Sequence, residues 1–284
     1  MTRRRLHRSR VGRQVARLPR HAGVLVIAVI ALAPLYWLVT LATQSNNQIV
    51  AAHGRFLPTL ERFGGLSHLS GVPLFTWLRN SVIVGLSTAT LSVVLGTPAA
   101  FALSRYRFRG SGTFGFLVFA TQMLPAALLI VPLYNIFAGV NLIDNLASLV
   151  IADSAFAMPV AIWVIKGSMD GVPRDLDEAA MMDGAHQLSI LRRIVLPVAA
   201  PGIAAAAIIA FLAGWNDFLF ANTFMITTDK WPATKGLASF FGQYSTPLDL
   251  IMAASVLFAL PPIVFFLLLQ RRMVAGLSAG AVRG

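Results

Sequence analysis

The sequence has no cysteine and few charged residues. The absence of cysteine from all 284 residues excludes a disulfide framework, a thiolate metal site and a cysteine nucleophile. Only 12% of the residues are charged, 57% are hydrophobic, and the mean hydropathy is +0.73. Soluble domains are about 25% charged and about 45–50% apolar. The composition is therefore that of a membrane protein.

The dipeptide Gly-Lys is also absent. A phosphate-binding P-loop has the pattern G-x-x-x-x-G-K-[ST], so the chain is not an ATPase of that type. The letters G-x-S-x-G occur once near the end, at Gly276 to Gly280. A nucleophile elbow needs aspartate and histidine partners later in the chain, and too few residues follow Gly280 to supply them. The five histidines are scattered and form no metal pattern. We expect neither catalysis nor a cofactor or metal ion bound by this chain.

Six stretches are long and apolar enough to cross a membrane as helices, which takes about 20 residues each. Two of them contain one carboxylate each, Asp153 and Asp217. We found no internal repeat between the halves that would support an inverted-repeat transporter. The sequence predicts an all-α membrane protein with six transmembrane helices. They cover residues 21–42, 80–104, a span within 110–143, and residues 145–165, 194–222 and 250–270.

The basic residues are distributed unequally between the two sets of loops. One set, residues 1–20, 105–109, 166–193 and 271–284, holds 18 of the 23 lysines and arginines, and the other set holds 5. Basic loops are retained in the cytoplasm, so both termini are predicted to be cytoplasmic. The net charge of +12 then reflects topology and attraction to lipid headgroups rather than nucleic-acid binding.

The first apolar run could instead be a cleavable signal peptide, since it follows an arginine-rich start. The run is longer than the usual apolar core of about 7–15 residues, and no clear small-residue cleavage site follows it. We therefore interpret it as a membrane span.

The longest predicted cytoplasmic loop contains an unusual segment, EAAMMDGAHQLSILRRIVLP, from Glu178 to Pro197. Pro173 suits the start of a helix, and Asp175 and Asp177 follow where negative charge is favourable. Gly184 can end this helix in a left-handed conformation.

A second short helix is predicted to follow, with Leu188 and Leu191 pointing inward, until Pro197 marks the return into the membrane. Solvated loops rarely carry an apolar helical side, so this segment predicts a docking surface. The apolar side of the first helix comprises Leu176, Ala179, Ala180 and Met182.

The segment resembles the EAA loop of binding-protein-dependent ABC importer permeases. Glu178, Ala179 and Ala180 are followed, after three residues, by Gly184. Nine residues separate Gly184 from Ile194, and after one further residue come Leu196 and Pro197. Elsewhere the chain is similar to the carbohydrate-uptake branch related to the maltose-transporter permeases. The similar stretches are WLRNSVIVG (77–85), GWNDF (214–218) and QRRMVAGLSAGAVRG (270–284).

The resemblance implies a type I ABC importer permease fold with a cytoplasmic coupling helix. The chain then divides into a basic N-terminus (1–20), a first transmembrane helix (21–43) and an extracytoplasmic loop (44–76). A permease core (77–270) with a coupling loop (167–197) and a cytoplasmic tail (271–284) follow. The implied ATPase-coupling residues are Glu178, Ala179, Ala180, Asp183, Gly184, Ile194, Leu196 and Pro197, and the tail residues Gly276, Ser278 and Gly280 are implied to reach the ATPase.

The resemblance also implies partners and a cargo. Two P-loop ATPase subunits would bind ATP and magnesium, and a second permease, of a different sequence, and an extracytoplasmic solute-binding protein would complete the importer. The cargo would be a sugar or a sugar-containing solute, with a non-sugar solute as the alternative. Trp215, Asn216 and Asp217 are candidates for the substrate pathway, because an aromatic ring beside hydrogen-bonding groups suits sugar hydroxyls. Asp217 has a structural alternative, an interhelical hydrogen bond or a position at the membrane interface.

Two other classes of protein remain as alternatives. A proton-coupled secondary transporter could use Asp153 and Asp217 as proton relays and would need no ATPase. A membrane scaffold without transport would need neither these carboxylates nor a docking loop.

Overall fold

The computed structural model describes residues 18–50, 57–58, 71–242 and 246–280, with side chains for all of these except 18–21 and 274–280. The described residues form helices and turns, with no strand among them. The helices are α1 (Leu18–Ala42), α2 (Asn46–Val50), α3 (Leu74–Arg105), α4 (Ser111–Ala120), α5 (Ile130–Gly139), α6 (Leu146–Asp170), α7 (Arg174–Met182), α8 (Gln187–Ile190), α9 (Leu196–Asn216), α10 (Leu219–Phe224), α11 (Ala233–Ala238) and α12 (Leu248–Gly280). Short 3-10 helices lie at Thr121–Met123, Ala126–Leu129 and Thr228–Lys230.

Within the described residues, five helical runs are long and apolar enough to span a membrane, or six if one bent pair is counted as a single span. The bent pair is the predicted third span. Residues 111–123 and 126–139 meet at an angle of 89°. Leu124 is extended, with φ −78° and ψ 120°, because the residue before a proline, here Pro125, is disfavoured in the α conformation. The apolar stretch 110–143 is therefore broken rather than one straight helix.

The predicted second short helix is present as α8, but it is not separate from the membrane span. Residues from Gln187 onward form one helical run into the next span, and a π-helical turn, Leu191–Val195, joins α8 to α9. A proline ring in a helix clashes with the carbonyl four residues earlier. The wider π turn ends at Val195, two residues before Pro197, and the helical run continues through the proline without a break.

The chain divides into two compact units, residues 1–70 with 247–256 and residues 71–246 with 257–284. In the first unit, α1 carries an apolar and largely exposed surface that includes Val24, Leu25 and Ile27. Such a surface suits a lipid environment. Asn46 accepts a hydrogen bond from the backbone N–H of Leu248 at 3.1 Å, which ties α2 to the start of α12.

In the second unit, α3, α6 and α9 pack against one another. Small residues allow helices to approach closely in a membrane, where apolar packing replaces the hydrophobic effect. At the crossing of α3 and α9, a Cβ atom on Gly214 would lie 2.8 Å from Thr88 Oγ1 and 3.3 Å from Gly85 Cα. Only glycine fits at position 214 without a shift of α3.

Two apolar clusters stabilise the opposite ends of this unit. The cluster near α7 brings Phe101 and Ile165 together with Ile190, Leu191 and Val195, so the helical run after the loop is packed into the bundle. Leu191 is buried as predicted, whereas Leu188 is 47% exposed and does not point inward. The cluster at the other end comprises Val84, Phe137, Leu149, Ala152, Phe220, Ala221, Phe224 and Met225.

Candidate functional site

The α7 loop, defined here as residues 171–186, begins and ends as its sequence predicts. Pro173 precedes the first helical residue, and Asp175 and Asp177 lie in the first turn, where the helix dipole favours negative charge. Gly184 has a φ of +80°, and its N–H donates to Met181 O at 3.0 Å. The N–H of Ala185 donates to Ala180 O at 2.9 Å. This pair of bonds is the Schellman motif, and the predicted left-handed turn at Gly184 is confirmed.

The outer face of α7 is exposed and partly apolar. Leu176 and Met181 are each 45% exposed, and Met182 is 88% exposed. Glu178 and Ala179 are also exposed. Large apolar side chains exposed among polar groups are typical of interaction sites. The apolar side that the sequence predicted is thus available for a partner.

A cavity of about 540 Å³ lies beside α7. Four of the predicted coupling residues, Ala180, Asp183, Gly184 and Ile194, line it together with the side chains of His186 and Arg193. Glu178 and Ala179 lie outside it on the exposed face of α7, and Leu196 and Pro197 belong to the first turn of α9. The structure therefore places six of the eight predicted coupling residues on α7 or around the adjoining cavity, which is called the notch below.

Polar contacts that sequence reasoning missed fasten the α7 loop to the end of α3. Arg105 Nε lies 2.8 Å from Asp177 Oδ2, and the two side chains are 7% and 10% exposed. Arg105 Nη2 also donates to Val172 O at 3.1 Å. In the other direction, Arg174 Nη2 donates to the backbone oxygen of Ser104 at 2.8 Å.

A second pair of contacts lies next to this one. Ser104 Oγ donates to Asp170 Oδ1 at 2.7 Å, and Lys166 Nζ lies 2.6 Å from Asp170 Oδ2. Asp170 is the last residue of α6, so the ends of α3 and α6 are joined where α7 begins. The contact of Ser104 with Asp170 has no local sequence signal, because the two residues are 66 positions apart. Lys166 and Asp170 lie four positions apart on α6 and form an i,i+4 pair.

The three predicted pathway residues have different surroundings. Trp215 is 6% exposed, and its ring stacks on Phe211 with centroids 5.6 Å apart. Asn216 is exposed. The Asp217 carboxylate accepts from the backbone N–H groups of Phe220 at 3.1 Å and Ala221 at 2.9 Å, and it therefore caps the start of α10. A structural function thus accounts for Asp217, and substrate contact by these residues stays a prediction.

At the opposite end of α3, the WLRNS stretch bonds to the backbone of residues 228–233. Trp77 Nε1 donates to Thr228 O at 2.9 Å. Asn80 Nδ2 donates to Asp229 O at 2.9 Å and Trp231 O at 3.0 Å. Ser81 Oγ accepts from the N–H of Ala233 at 2.7 Å. These side chains hold the segment that leads into α11.

Asp144, between α5 and α6, fixes the same region. Its carboxylate accepts from the backbone N–H groups of Ile226 at 2.8 Å and Thr227 at 2.9 Å and from the Thr227 hydroxyl, and Lys230 Nζ lies 3.4 Å away. Burial would raise the pKa of Asp144, but the bonds from Thr227, Ile226 and Lys230 together outweigh it and lower the pKa to about 2. The carboxylate is therefore ionised at neutral pH and locks the segment after α10.

Lys235 binds the end of α10 from the other side. Its ammonium donates to Asn222 O at 3.1 Å and Met225 O at 2.6 Å and lies 5.0 Å from the centre of the Trp231 ring. Burial lowers the pKa of Lys235, and the nearby Asp144 carboxylate offsets only part of that effect. A lysine near a helix C-terminus satisfies carbonyls that the helix leaves free.

Comparison with known proteins identifies the family. The family model described as "Binding-protein-dependent transport system inner membrane component" matches residues 92–278. The chain belongs to this family. It is a family of membrane transport components rather than catalytic enzymes, and the chain is a multi-pass membrane permease.

Relatives match over almost the whole permease. The chain is 30% identical to the inner membrane ABC transporter permease protein YcjP of Escherichia coli K12, over 96% of this chain and 98% of that protein. It is 35% identical to the trehalose transport system permease protein SugB of Mycobacterium tuberculosis, over 89% and 93%. It is 30% identical to the trehalose/maltose transport system permease protein MalG of Thermococcus litoralis, over 92% and 95%.

A solved structure shows the same fold. The permease superimposes with a TM-score of 0.73 on a chain of a bacterial ABC transporter involved in the import of the acidic polysaccharide alginate, at 22% identity and over 93% of this chain and 98% of that chain. The type I ABC importer permease fold predicted from the sequence is thus confirmed. Of the predicted tail contacts, Gly276, Ser278 and Gly280 lie in α12, with their side chains outside the described residues.

Proposed function

We propose that this permease is one of two membrane subunits of an ATP-driven importer for a sugar or a sugar-containing solute. The α7 loop is the coupling element to a separate ATPase. The observation that carries the proposal is the exposed face of α7, formed by Leu176, Met181 and Met182 beside Glu178, on a helix that buried contacts fasten to the bundle.

The shape of the loop supports docking rather than simple solvation. An exposed apolar helix face loses contact with water when a partner covers it, and burial of apolar surface contributes about 25 cal/mol per Å². The adjoining notch would receive a side chain of that partner. We assign contact with the ATPase to Glu178, Ala179, Ala180, Asp183 and Gly184, and support of that surface to Ile194, Leu196 and Pro197.

The energy source lies on other chains in this proposal. The chain lacks the Gly-Lys dipeptide that a P-loop needs, so two copies of an ATPase subunit would bind ATP and magnesium. A second permease of different sequence and an extracytoplasmic solute-binding protein complete the assembly. The tail around Gly276, Ser278 and Gly280 is a further candidate for ATPase contact.

The proposed orientation follows from charge. The loops at the α7 end of the bundle and the two termini hold 18 of the 23 lysines and arginines, which favours a cytoplasmic position for α7 and both termini. ATP is cytoplasmic, so this orientation places the docking face where an ATPase can bind it.

The choice of a sugar as cargo rests on relatives whose names specify trehalose or trehalose and maltose. Asn216 is exposed at the end of α9 and Asp217 caps α10, so Asn216 is the better candidate of the two for contact with a sugar hydroxyl. A panel of labelled disaccharides, offered to cells that carry or lack the transporter genes, tests the cargo. Uptake of amino acids but of no sugar would contradict this part of the proposal.

Two variants test the coupling function of the loop. Gly184→Pro removes the left-handed turn, and Glu178→Lys reverses the charge on the exposed face. Both should abolish most ATP-dependent uptake while the protein stays in the membrane at normal amounts. Normal uptake in both variants would remove the coupling proposal.

Asp175→Lys is the matched control for Glu178→Lys. Asp175 is also an exposed acidic residue of α7, and it lies in the first turn of the helix. If Asp175→Lys lowers uptake as much as Glu178→Lys, the loss is due to the change of charge on α7. It is then not due to a specific contact of Glu178 with the ATPase. The proposal expects the larger loss for Glu178→Lys.

A further inference from the structure

A buried ion pair is one of the contacts that attach α7 to the bundle. Within α7, Asp177 is the buried residue, and its Oδ2 faces Arg105 Nε at 2.8 Å. Its other oxygen, Oδ1, has no hydrogen-bond partner among the described groups. A buried carboxylate without a charged partner is strongly unfavourable, so Arg105 determines whether Asp177 can stay in place.

The contacts around this pair brace α3 and the α7 loop in both directions. Arg105 projects from α3 and donates to Val172 O in the loop. Arg174 projects from α7 and donates to Ser104 O in the last turn of α3. Cations near the last carbonyls of a helix are favourable. Two arginines that cross between the same two elements resist both sliding and rotation of one against the other.

We propose that Arg105 is a positioning residue that makes the α7 loop and α3 move as one body. A force applied to the exposed face of α7 is then passed directly to α3, and not only along the chain to the neighbouring α6 and α8. This inference rests on the proposed function, because it requires an ATPase that moves α7.

The length and the far end of α3 give this connection a consequence. α3 has 32 residues, which corresponds to about 48 Å at 1.5 Å per residue. The first turns of α3, at the end distant from Arg105, carry Trp77, Asn80 and Ser81. These side chains form hydrogen bonds with the backbone of residues 228–233. α3 is therefore fastened by side-chain contacts at both ends, and it transmits movement of the α7 loop across the membrane to the segment before α11.

The experiment measures whether α7 and α3 keep a fixed distance. Because the chain has no cysteine, Leu95→Cys in α3 and Asp175→Cys in α7 are its only labelling sites, and the purified permease is spin-labelled before the partner subunits are added. Both positions are exposed. The complete complex with its ATPase is reconstituted in lipid nanodiscs, and the distance between the labels is measured by pulsed electron resonance without nucleotide and with ATP and vanadate.

The proposal predicts one distance distribution in both nucleotide states when Arg105 is present. In the Arg105→Ala background, the distribution should shift or broaden when ATP and vanadate are added. The Arg105→Lys variant should show a change of distance smaller than that of Arg105→Ala and larger than that of the native residue. Lysine keeps the charge but cannot make the forked contacts of arginine, so this variant also controls for a folding defect. Arg105→Asp combined with Asp177→Arg should restore the single distribution.

Lys166→Leu is the matched control. It removes a half-exposed ion pair with Asp170 at the same junction and should leave the distances unchanged in both states. The proposal is overturned if the labels change distance with nucleotide in the presence of Arg105, or if Arg105→Ala and Arg105→Lys both leave the distance fixed.

Failure of this inference can be told from failure of the proposed function. If no ATPase purifies with the unaltered permease, the coupling function and the inference both fall. The ATPase could instead remain bound, with ATP-dependent uptake intact, while the label distances give one of the two contradicting results named above. In that case only the proposed role of Arg105 is rejected.

Discussion

At the scale of single residues, Asp144 illustrates how one carboxylate can fix a loop. Its left-handed backbone, with φ 59°, is tolerated by aspartate and asparagine. Asp144→Asn therefore removes the charge with little change of backbone strain. Allowing for partial solvent exposure, we expect the variant to lower the free energy of unfolding by about 1–2 kcal/mol at pH 7.

The pH dependence of this effect has a definite sign. The pKa of Asp144 is about 2 in the folded protein against an ordinary value of 3.8. A lowered pKa stabilises the fold above pH 3.8, and that contribution is lost as the pH falls through about 2. Thermal unfolding of the purified complex should show the difference between native and Asp144→Asn protein shrinking below pH 4. Asp229→Asn, an exposed neighbour, should show no difference at any pH.

Gly214 gives a second prediction at this scale. A Cβ atom there would lie 2.8 Å from Thr88 Oγ1, so Gly214→Val should separate α3 from α9 and destabilise the protein by about 1–3 kcal/mol. Gly112→Val is the control, because no other heavy atom lies within 4 Å of a Cβ atom at that position. Equal melting temperatures for the two variants in detergent would contradict the close packing at Gly214.

Some residue-level features could be predicted from the sequence and others could not. Gly184 was predictable, because a glycine that follows an amphipathic helical pattern is a local signal for a left-handed turn. The ion pair of Arg105 with Asp177 was not, because its partners meet only after α3 and α6 have packed. Asp217 could be recognised as unusual, but its capping of α10 depends on a chain bend at that residue.

At the scale of elements, the ion pair predicts a difference between single and double variants. Arg105→Leu alone leaves Asp177 buried and unpaired, and we expect a loss of about 3–5 kcal/mol. Arg105→Leu with Asp177→Leu removes both charges and should be markedly more stable than the single variant. Thermal unfolding of the three proteins measures this, and a double variant less stable than Arg105→Leu would mean that the pair is not isolated from other charges.

The opposite end of α3 gives a matched prediction. Asn80→Ala leaves two backbone oxygens, those of Asp229 and Trp231, without their donor, which should cost about 1–3 kcal/mol. Proteolysis of the segment before α11 should become faster. Arg79→Ala, at the exposed adjacent position, is the control, and faster cleavage in both variants would show that the hydrogen bonds of Asn80 are not responsible.

The elements themselves were predicted unevenly. The long apolar runs identified the spans, because apolar length is a local property of the chain. Periodicity and the position of Pro197 did not reveal that the loop helix continues into α9, because a π turn that accommodates a proline has no sequence pattern that we could recognise. The bend at Leu124 and Pro125 had a local signal in the proline, but eight other prolines within the predicted spans gave the same signal.

At the scale of the whole molecule, the permease has features at both ends that suit a coupled transporter. The α7 loop presents an exposed apolar face and is fastened to α3, and the other end of α3 is bonded to the segment before α11. Composition and the EAA motif were sufficient to predict the class of transporter and its fold. The connection between the two ends required the structure, because it consists of contacts between residues distant in sequence.

We propose above all that a separate ATPase drives this permease by binding the α7 loop. The most direct test is purification of the tagged chain from its native host in a mild detergent, followed by mass spectrometry of the proteins that accompany it. We expect a P-loop ATPase at two copies per complex and a second permease at one copy, with the ATPase lost from the Glu178→Lys variant. A chain that purified without an ATPase and still transported its solute in vesicles free of ATP would contradict it.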